Sequence, residues 1–200
     1  MASNVRKLEA EPYKPKEIFP NLYKLRIPLP IPSLRYLNSY LVKAKDQCLL
    51  IDTGMCSNAA FNELSRQLAE IGFQPQNLTE ILVTHFHIDH VGLTSRLRKL
   101  SGAKLLISAK ESQATRLTTS QSQWERWVRF YEDAGIPTEI LERMFRATPS
   151  HLYSEIYEEL GRPSRSLRNG DEISIGEYCF RVVWTPGHSP GHICLYEPER

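Results

Sequence analysis

The stretch Thr84-His85-Phe86-His87-Ile88-Asp89-His90 decides how the rest of this 200-residue chain is read. Four side chains able to bind a metal, His85, His87, Asp89 and His90, fall within six positions, directly after the apolar run Ile81-Leu82-Val83. Imidazole and carboxylate suit zinc, manganese or iron in a catalytic site, whereas thiolate-rich sets suit structural zinc. In extended backbone His85 and His87 project to the same side and can reach one ion. The turn that opens the following helix redirects Asp89 and His90, so the spacing suits two neighbouring metals.

Outward from this cluster the pattern is α/β. Upstream, Cys48 to Ile51 is a short apolar run stopped by Asp52-Thr53-Gly54, as expected of a buried strand that delivers an aspartate to its exposed end. Phe61, Leu64, Leu68 and Ile71 fall at helical spacing before Gly72, and Leu93, Leu97 and Leu100 do so before Gly102. With Lys104 to Ser108 as a further strand, strand and helix alternate twice, which builds a largely parallel segment of sheet. Asn21 to Leu29 and Tyr36 to Val42, parted by a bend at Pro28, Pro30 and Pro32, read as an antiparallel start behind a polar leader.

Downstream, residues 110 to 165 read as a helical insertion. It carries an aromatic stripe at Trp124, Trp127 and Tyr131, apolar positions Ile140, Leu141, Met144 and Phe145, and a third short helix at Leu152, Ile156 and Leu160. After the turn signal Asn169-Gly170, the alternation of Ile173, Ile175, Phe180, Val182 and Trp184 predicts strands. They lead to Thr185-Pro186-Gly187-His188-Ser189-Pro190-Gly191-His192, a loop with two histidines, and to a last apolar stretch from Ile193 to Tyr196.

His85-x-His87-x-Asp89-His90 resembles the signature of the metallo-β-lactamase fold superfamily. Leu49-Leu50-Ile51-Asp52-Thr53-Gly54 is similar to the superfamily's early strand ending in aspartate, and the loop from Thr185 to His192 to its third metal-binding loop. The resemblance spans about Asn21 to Tyr196 apart from the insertion, and within the superfamily it looks closest to glyoxalase II-like (hydroxyacylglutathione hydrolase-like) enzymes. It implies a four-layer αββα sandwich in one domain over residues 1–200. His85, His87 and His188 would bind a first metal, and Asp89 and His90 would serve a second. Asp52 would accept a hydrogen bond that orients a ligating residue, and His192 would support its loop. Two zinc ions are implied, with iron or manganese as other options. Asp89 and Asp52 are then the candidate catalytic residues. The implied reaction is hydrolysis of a small thioester or lactone by water acidified at the metal.

The superfamily's bridging aspartate and last metal histidine normally follow the strand that here begins near Ile193, so their place is expected beyond Arg200. His151 reads as a locally bonded or exposed residue of the insertion rather than their substitute. The insertion's position and aromatic content suit a lid over the metal loops, and equally a homodimer contact or a packing appendage.

Composition narrows the partners. Lysine and arginine number 25 and aspartate and glutamate 23, interleaved, so no strong field favours nucleic acid or an anionic membrane. That makes the phosphodiesterase or ribonuclease chemistry of the same superfamily the weaker alternative to a small-molecule substrate. A mononuclear iron dioxygenase, which leaves Asp89 outside the metal shell, is another alternative, and a binding protein with a degenerate site is a third. No segment approaches the roughly 20 apolar residues that span a bilayer, and Met1 to Ala10 has no apolar signal core, so a cytoplasmic location is expected. Cys48, Cys56, Cys179 and Cys194 lack paired C-x-x-C spacing and read as reduced, mostly structural thiols, with Cys56 in a turn that can face the site.

Overall fold

The apolar runs on either side of the histidine cluster become the centre of a seven-stranded sheet in the computed structural model, which describes residues 13–30, 34–118, 129–139 and 150–199. Its strands are β1 (Lys16–Phe19), β2 (Leu22–Pro28), β3 (Tyr36–Lys43), β4 (Cys48–Ile51), β5 (Glu80–Val83), β6 (Lys104–Ser108) and β7 (Arg165–Leu167), in that spatial order. Pairing is antiparallel from β1 to β4 and parallel from β4 to β7. A second sheet of β8 (Glu172–Ile175), β9 (Tyr178–Trp184) and β10 (Ile193–Tyr196) is antiparallel throughout.

Strands covered on both faces lose the apolar and polar alternation and read as continuous hydrophobic runs. In β4, β5 and β6 successive residues face different cores. Cys48, Leu50, Ile81, Val83, Leu105 and Ile107 pack toward the helices, while Leu49, Ile51, Leu82 and Leu106 pack against Ile173, Ile175, Phe180, Val182 and Ile193 of the second sheet. Helices, first sheet and second sheet thus form three layers of the expected sandwich. Among the described residues no helix covers the outer face of the second sheet, where Glu172, Ser174, Cys179 and Arg181 are exposed.

The helical layer contains α1 (Asn58–Glu70), α2 (Ile88–Val91), α3 (Thr94–Ser101), α4 (Ala109–Thr118) and α5 (Ser150–Leu160). The Ser57 hydroxyl caps α1 by accepting from the Ala60 amide, and the wholly buried Gln67 ties the helix to β2 through both backbone groups of Arg26. Gly102 ends α3 at a φ of 71°, a left-handed cap that glycine adopts without Cβ strain. Among the described residues no helix is long and apolar enough to cross a membrane.

Two strands differ from the sequence expectation. β1 pairs with β2 where a leader was expected; all four of its residues are exposed, so an edge strand left no burial pattern to read. β7 was likewise missed, since two of its three residues are exposed. Because β7 pairs in parallel with β6, α4 and α5 belong to a crossover connection within the first sheet. Ile156 and Leu160 of α5 are buried in the helix-side core. Trp124, Trp127, Ile140, Leu141, Met144 and Phe145 lie outside the described residues, as do the side chains of His151 and Leu152.

Close packing of backbones fixes the loop after β4 against the turn after α2. A Cβ added at Gly92 would lie 2.2 Å from the Cys56 nitrogen and 2.6 Å from the Met55 carbonyl carbon, distances only glycine avoids. Gly92→Ala should therefore lower unfolding free energy by about 1–3 kcal/mol through overpacking. Urea denaturation of the two proteins side by side measures this, and an unchanged midpoint would contradict the close approach.

Candidate metal centre

Parallel strands bring their carboxyl ends to one edge of a sheet, and loops there are free to present side chains. Asp52 leaves β4, and Thr84 and His85 leave β5, at that edge. The loop between β9 and β10 joins them: the Ile193 amide donates to the Thr84 carbonyl at 3.1 Å, and the Thr185 amide to the His192 carbonyl at 2.8 Å. The sites expected 100 residues apart therefore meet.

Asp52 organises the first of them. It is 5% exposed, with a φ of 59°, an unusual left-handed conformation for a residue other than glycine that aspartate tolerates better than most. Its Oδ1 accepts from the Thr84 amide at 2.9 Å, and its Oδ2 accepts from the Thr84 hydroxyl and from His90 Nδ1, each at 2.8 Å. With its proton committed to Asp52, Thr84 Oγ1 has only lone pairs left for His85 Nδ1, 3.0 Å away. His85 then carries its proton on Nδ1, and Nε2 is a bare lone pair.

That Nε2 atom is buried and has no hydrogen-bond partner among the described residues. An unsatisfied buried nitrogen costs free energy unless something binds it. His85, His87 and His188 offer ligand atoms that all lie within 4.8 Å of one another, and His87 Nδ1 and His188 Nε2 approach to 2.9 Å. Three imidazoles with a free fourth position are a donor set that fits a catalytic divalent cation. Among the described residues this is the one group of three or more ligand side chains close enough to share an ion.

Asp89 and His90 stand beside it. The His90 ring lies 4.0 Å from that of His85, and its Nε2, left free by the Asp52 bond, is 3.6 Å from Asp89 Oδ2. Two potential ligands for a second ion are thus adjacent. His192, whose ring is 5.1 Å from His85, has its Nδ1 2.7 Å from the Thr185 hydroxyl. Cys56 is half-buried among core residues, with its thiol raised chiefly by burial, and Cys48 is pushed up to about 12 by the same cause.

Two residues of the site went unassigned in the sequence. Thr84 relays the orientation of Asp52 to His85, although it stands in the motif first quoted. Glu111, wholly buried in the first turn of α4, accepts from the Phe86 amide at 2.9 Å, from the Ser189 hydroxyl at 2.7 Å and from the Gly191 amide at 2.5 Å. A charged residue closely following an apolar strand was the available signal, but its partners are 25 to 80 residues away.

The description Metallo-beta-lactamase superfamily matches residues 33–200, which contain every one of these groups. The chain belongs to that superfamily. Solved structures agree: a metallo-beta-lactamase family protein from Thermus thermophilus, TTHA1429, superposes with a TM-score of 0.70 at 30% identity, covering 90% of this chain and 56% of that one. Among curated relatives, acyl-coenzyme A thioesterase MBLAC2 of Gallus gallus is 53% identical over 165 residues, covering 81% of this chain and 53% of its own. The Homo sapiens protein of the same description is 24% identical over 173 residues, 82% of this chain and 54% of its own. A hydroxyacylglutathione hydrolase of Maricaulis maris is 26% identical over 122 residues, 61% of this chain and 30% of its own. That partial match gives the expected glyoxalase II-like kinship only weak support. The chain spans about half the length of most curated relatives it matches.

Burial holds His85 down to about 2, reinforced by the imidazoles of His90, His87, His188 and His192. Burial also lowers His87, with His188 adding to it, and lowers His192 against the opposing charge of Asp52. Burial pulls His90 the same way, but the hydrogen bond and charge of Asp52 outweigh it and raise that group. A histidine whose folded pKa is depressed takes up its proton more readily when unfolded, so its contribution to stability is lost as pH falls below the unfolded value near 6.5. His90 acts in the opposite sense, contributing at low pH and losing that contribution as pH rises through its raised pKa. In chelator, unfolding free energy should fall between pH 6 and 4, with His85 alone contributing about 1 kcal/mol per pH unit. Urea titrations of the native protein and His85→Gln would show that slope flattened in the variant; equal slopes would refute the assignment.

Proposed function

We propose that the protein is a metal-dependent hydrolase of small thioesters, with zinc as its cation. The observation that carries this reading is the buried Nε2 of His85, without a partner among the described residues, beside His87 and His188. The thioester class is supported by the relatives whose descriptions are acyl-coenzyme A thioesterase and hydroxyacylglutathione hydrolase. A divalent cation on the three imidazoles would polarise a carbonyl oxygen and bring the acidity of water close to neutral pH.

The chain's own residues supply the rest. The Asp52, Thr84 and His85 hydrogen bonds hold the lone pair of His85 in place before substrate arrives, so little reorganisation is needed during the reaction. Asp89 Oδ2, next to His87 and His90, is the acceptor for a proton of the attacking water. Water adds to the acyl carbon, the carbon–sulfur bond breaks, and the proton that leaves the water neutralises the departing thiolate or passes to solvent. Asp89 and His90 are also the residues we assign to a second cation. The site edge is exposed at His188, which leaves room for a small substrate to approach.

Zinc-loaded protein should release free thiol from acyl-coenzyme A or acylglutathione faster than it opens a lactone or cleaves a phosphodiester. His87→Ala should lower kcat/KM by at least about a hundredfold. A thiol-trapping assay across that panel decides it. Undiminished turnover in the variant, or cleavage confined to the phosphodiester, would sink the reading.

A further inference from the structure

Glu111 is a carboxylate with no exposed surface that belongs to neither metal loop yet is bonded to both. Its Oε2 accepts from the amide of Phe86, the residue between His85 and His87, at 2.9 Å. Its Oε1 accepts from the Ser189 hydroxyl at 2.7 Å and the Gly191 amide at 2.5 Å, just after His188. Ser108, at the end of β6, completes the joint: its hydroxyl donates to the Gly191 carbonyl at 2.6 Å and accepts from the Glu111 amide at 3.2 Å. The fit has no slack, because a Cβ added at Gly191 would lie 2.5 Å from the Glu111 nitrogen and 2.6 Å from Ser108 Oγ.

We propose that Glu111 is a positioning residue of the metal centre, holding the loop of His188 against the segment of His85 and His87 and thereby setting how tightly the three imidazoles bind a cation. The proposal rests on the metal-centre reading above. His87 and His188 are 101 residues apart in sequence and belong to loops on different sheets, so their 2.9 Å approach depends on whatever fixes one loop to the other. Both oxygens of a carboxylate offer acceptors, and the three donors at Glu111 are N–H or O–H groups, those of Ser189 and Gly191 on buried residues and that of Phe86 on a partly buried one. Glutamine keeps the size but puts an NH2 group against one side of the joint, opposing either Phe86 or the pair Ser189 and Gly191.

The test is zinc binding, measured by competition with a chelating dye on the native protein, Glu111→Gln and Ser189→Ala, with melting of the metal-free forms as a control. Cobalt(II) absorption reports the geometry of the imidazole set separately from stability. Glu111→Gln should bind zinc about 10- to 100-fold more weakly with an altered cobalt spectrum. Ser189→Ala, which removes one of the three donors, should weaken binding by a smaller factor with melting nearly unchanged. Native zinc affinity and a native cobalt spectrum in both variants would overturn the role of Glu111. Should Glu111→Gln fail to fold, Ser189→Ala decides by the same criterion. A native protein that takes up no zinc overturns the metal-centre reading itself, and this proposal with it.

Discussion

Asp52 sits where a fully buried strand ends, and its carboxylate accepts from the Thr84 amide, the Thr84 hydroxyl and His90 Nδ1. The geometry of His85 on one side and His90 on the other in the candidate metal centre descends from that group. Toward His85 it acts through Thr84, whose spent hydroxyl proton dictates which ring nitrogen carries hydrogen. Toward His90 it acts directly, leaving Nε2 to face Asp89. The left-handed backbone of Asp52 costs energy that the surrounding bonds offset: its amide donates to Leu82, and its carbonyl accepts from Ser39 Oγ.

The layers make such an arrangement affordable. Each central strand is covered on both faces, so β4 and β5 cannot slide without exposing one of two cores. Rigid strand ends then present Asp52, Thr84 and His85 from fixed positions, and the turn at Gly92, pressed on Met55 and Cys56, fixes the start of the helix after His90. Glu111 adds the second fastening, from the start of α4 to the loop of the other sheet. A buried polar group at each joint makes the joint specific, since any shift leaves it unpaired.

Most of the framework was legible because burial leaves a periodic record. The central runs and the helix spacings of Leu64 and Leu68, or Leu93 and Leu97, mark elements whose side chains are buried. β1 and β7 left no such record, being largely exposed, and only their hydrogen bonding to β2 and β6 defines them. The helix spacing of Ile156 and Leu160 was legible in α5, but the place of that helix in a crossover depended on where β7 pairs.

Within the site, the sequence by itself determined the ligand types and their spacing on one loop, because neighbours in an extended segment followed by a helical turn have nearly fixed relative directions. It marked His85, His87, Asp89 and His90 as candidates on that ground. Only the tertiary structure decided that His188 comes within hydrogen-bonding distance of His87, that Thr84 carries Asp52's influence to His85, and that Glu111 joins the two loops. Apart from the bond between the neighbours Thr84 and His85, those contacts link strand ends or loops far apart in sequence, and distance along a chain says nothing about distance in space until the sheets have paired.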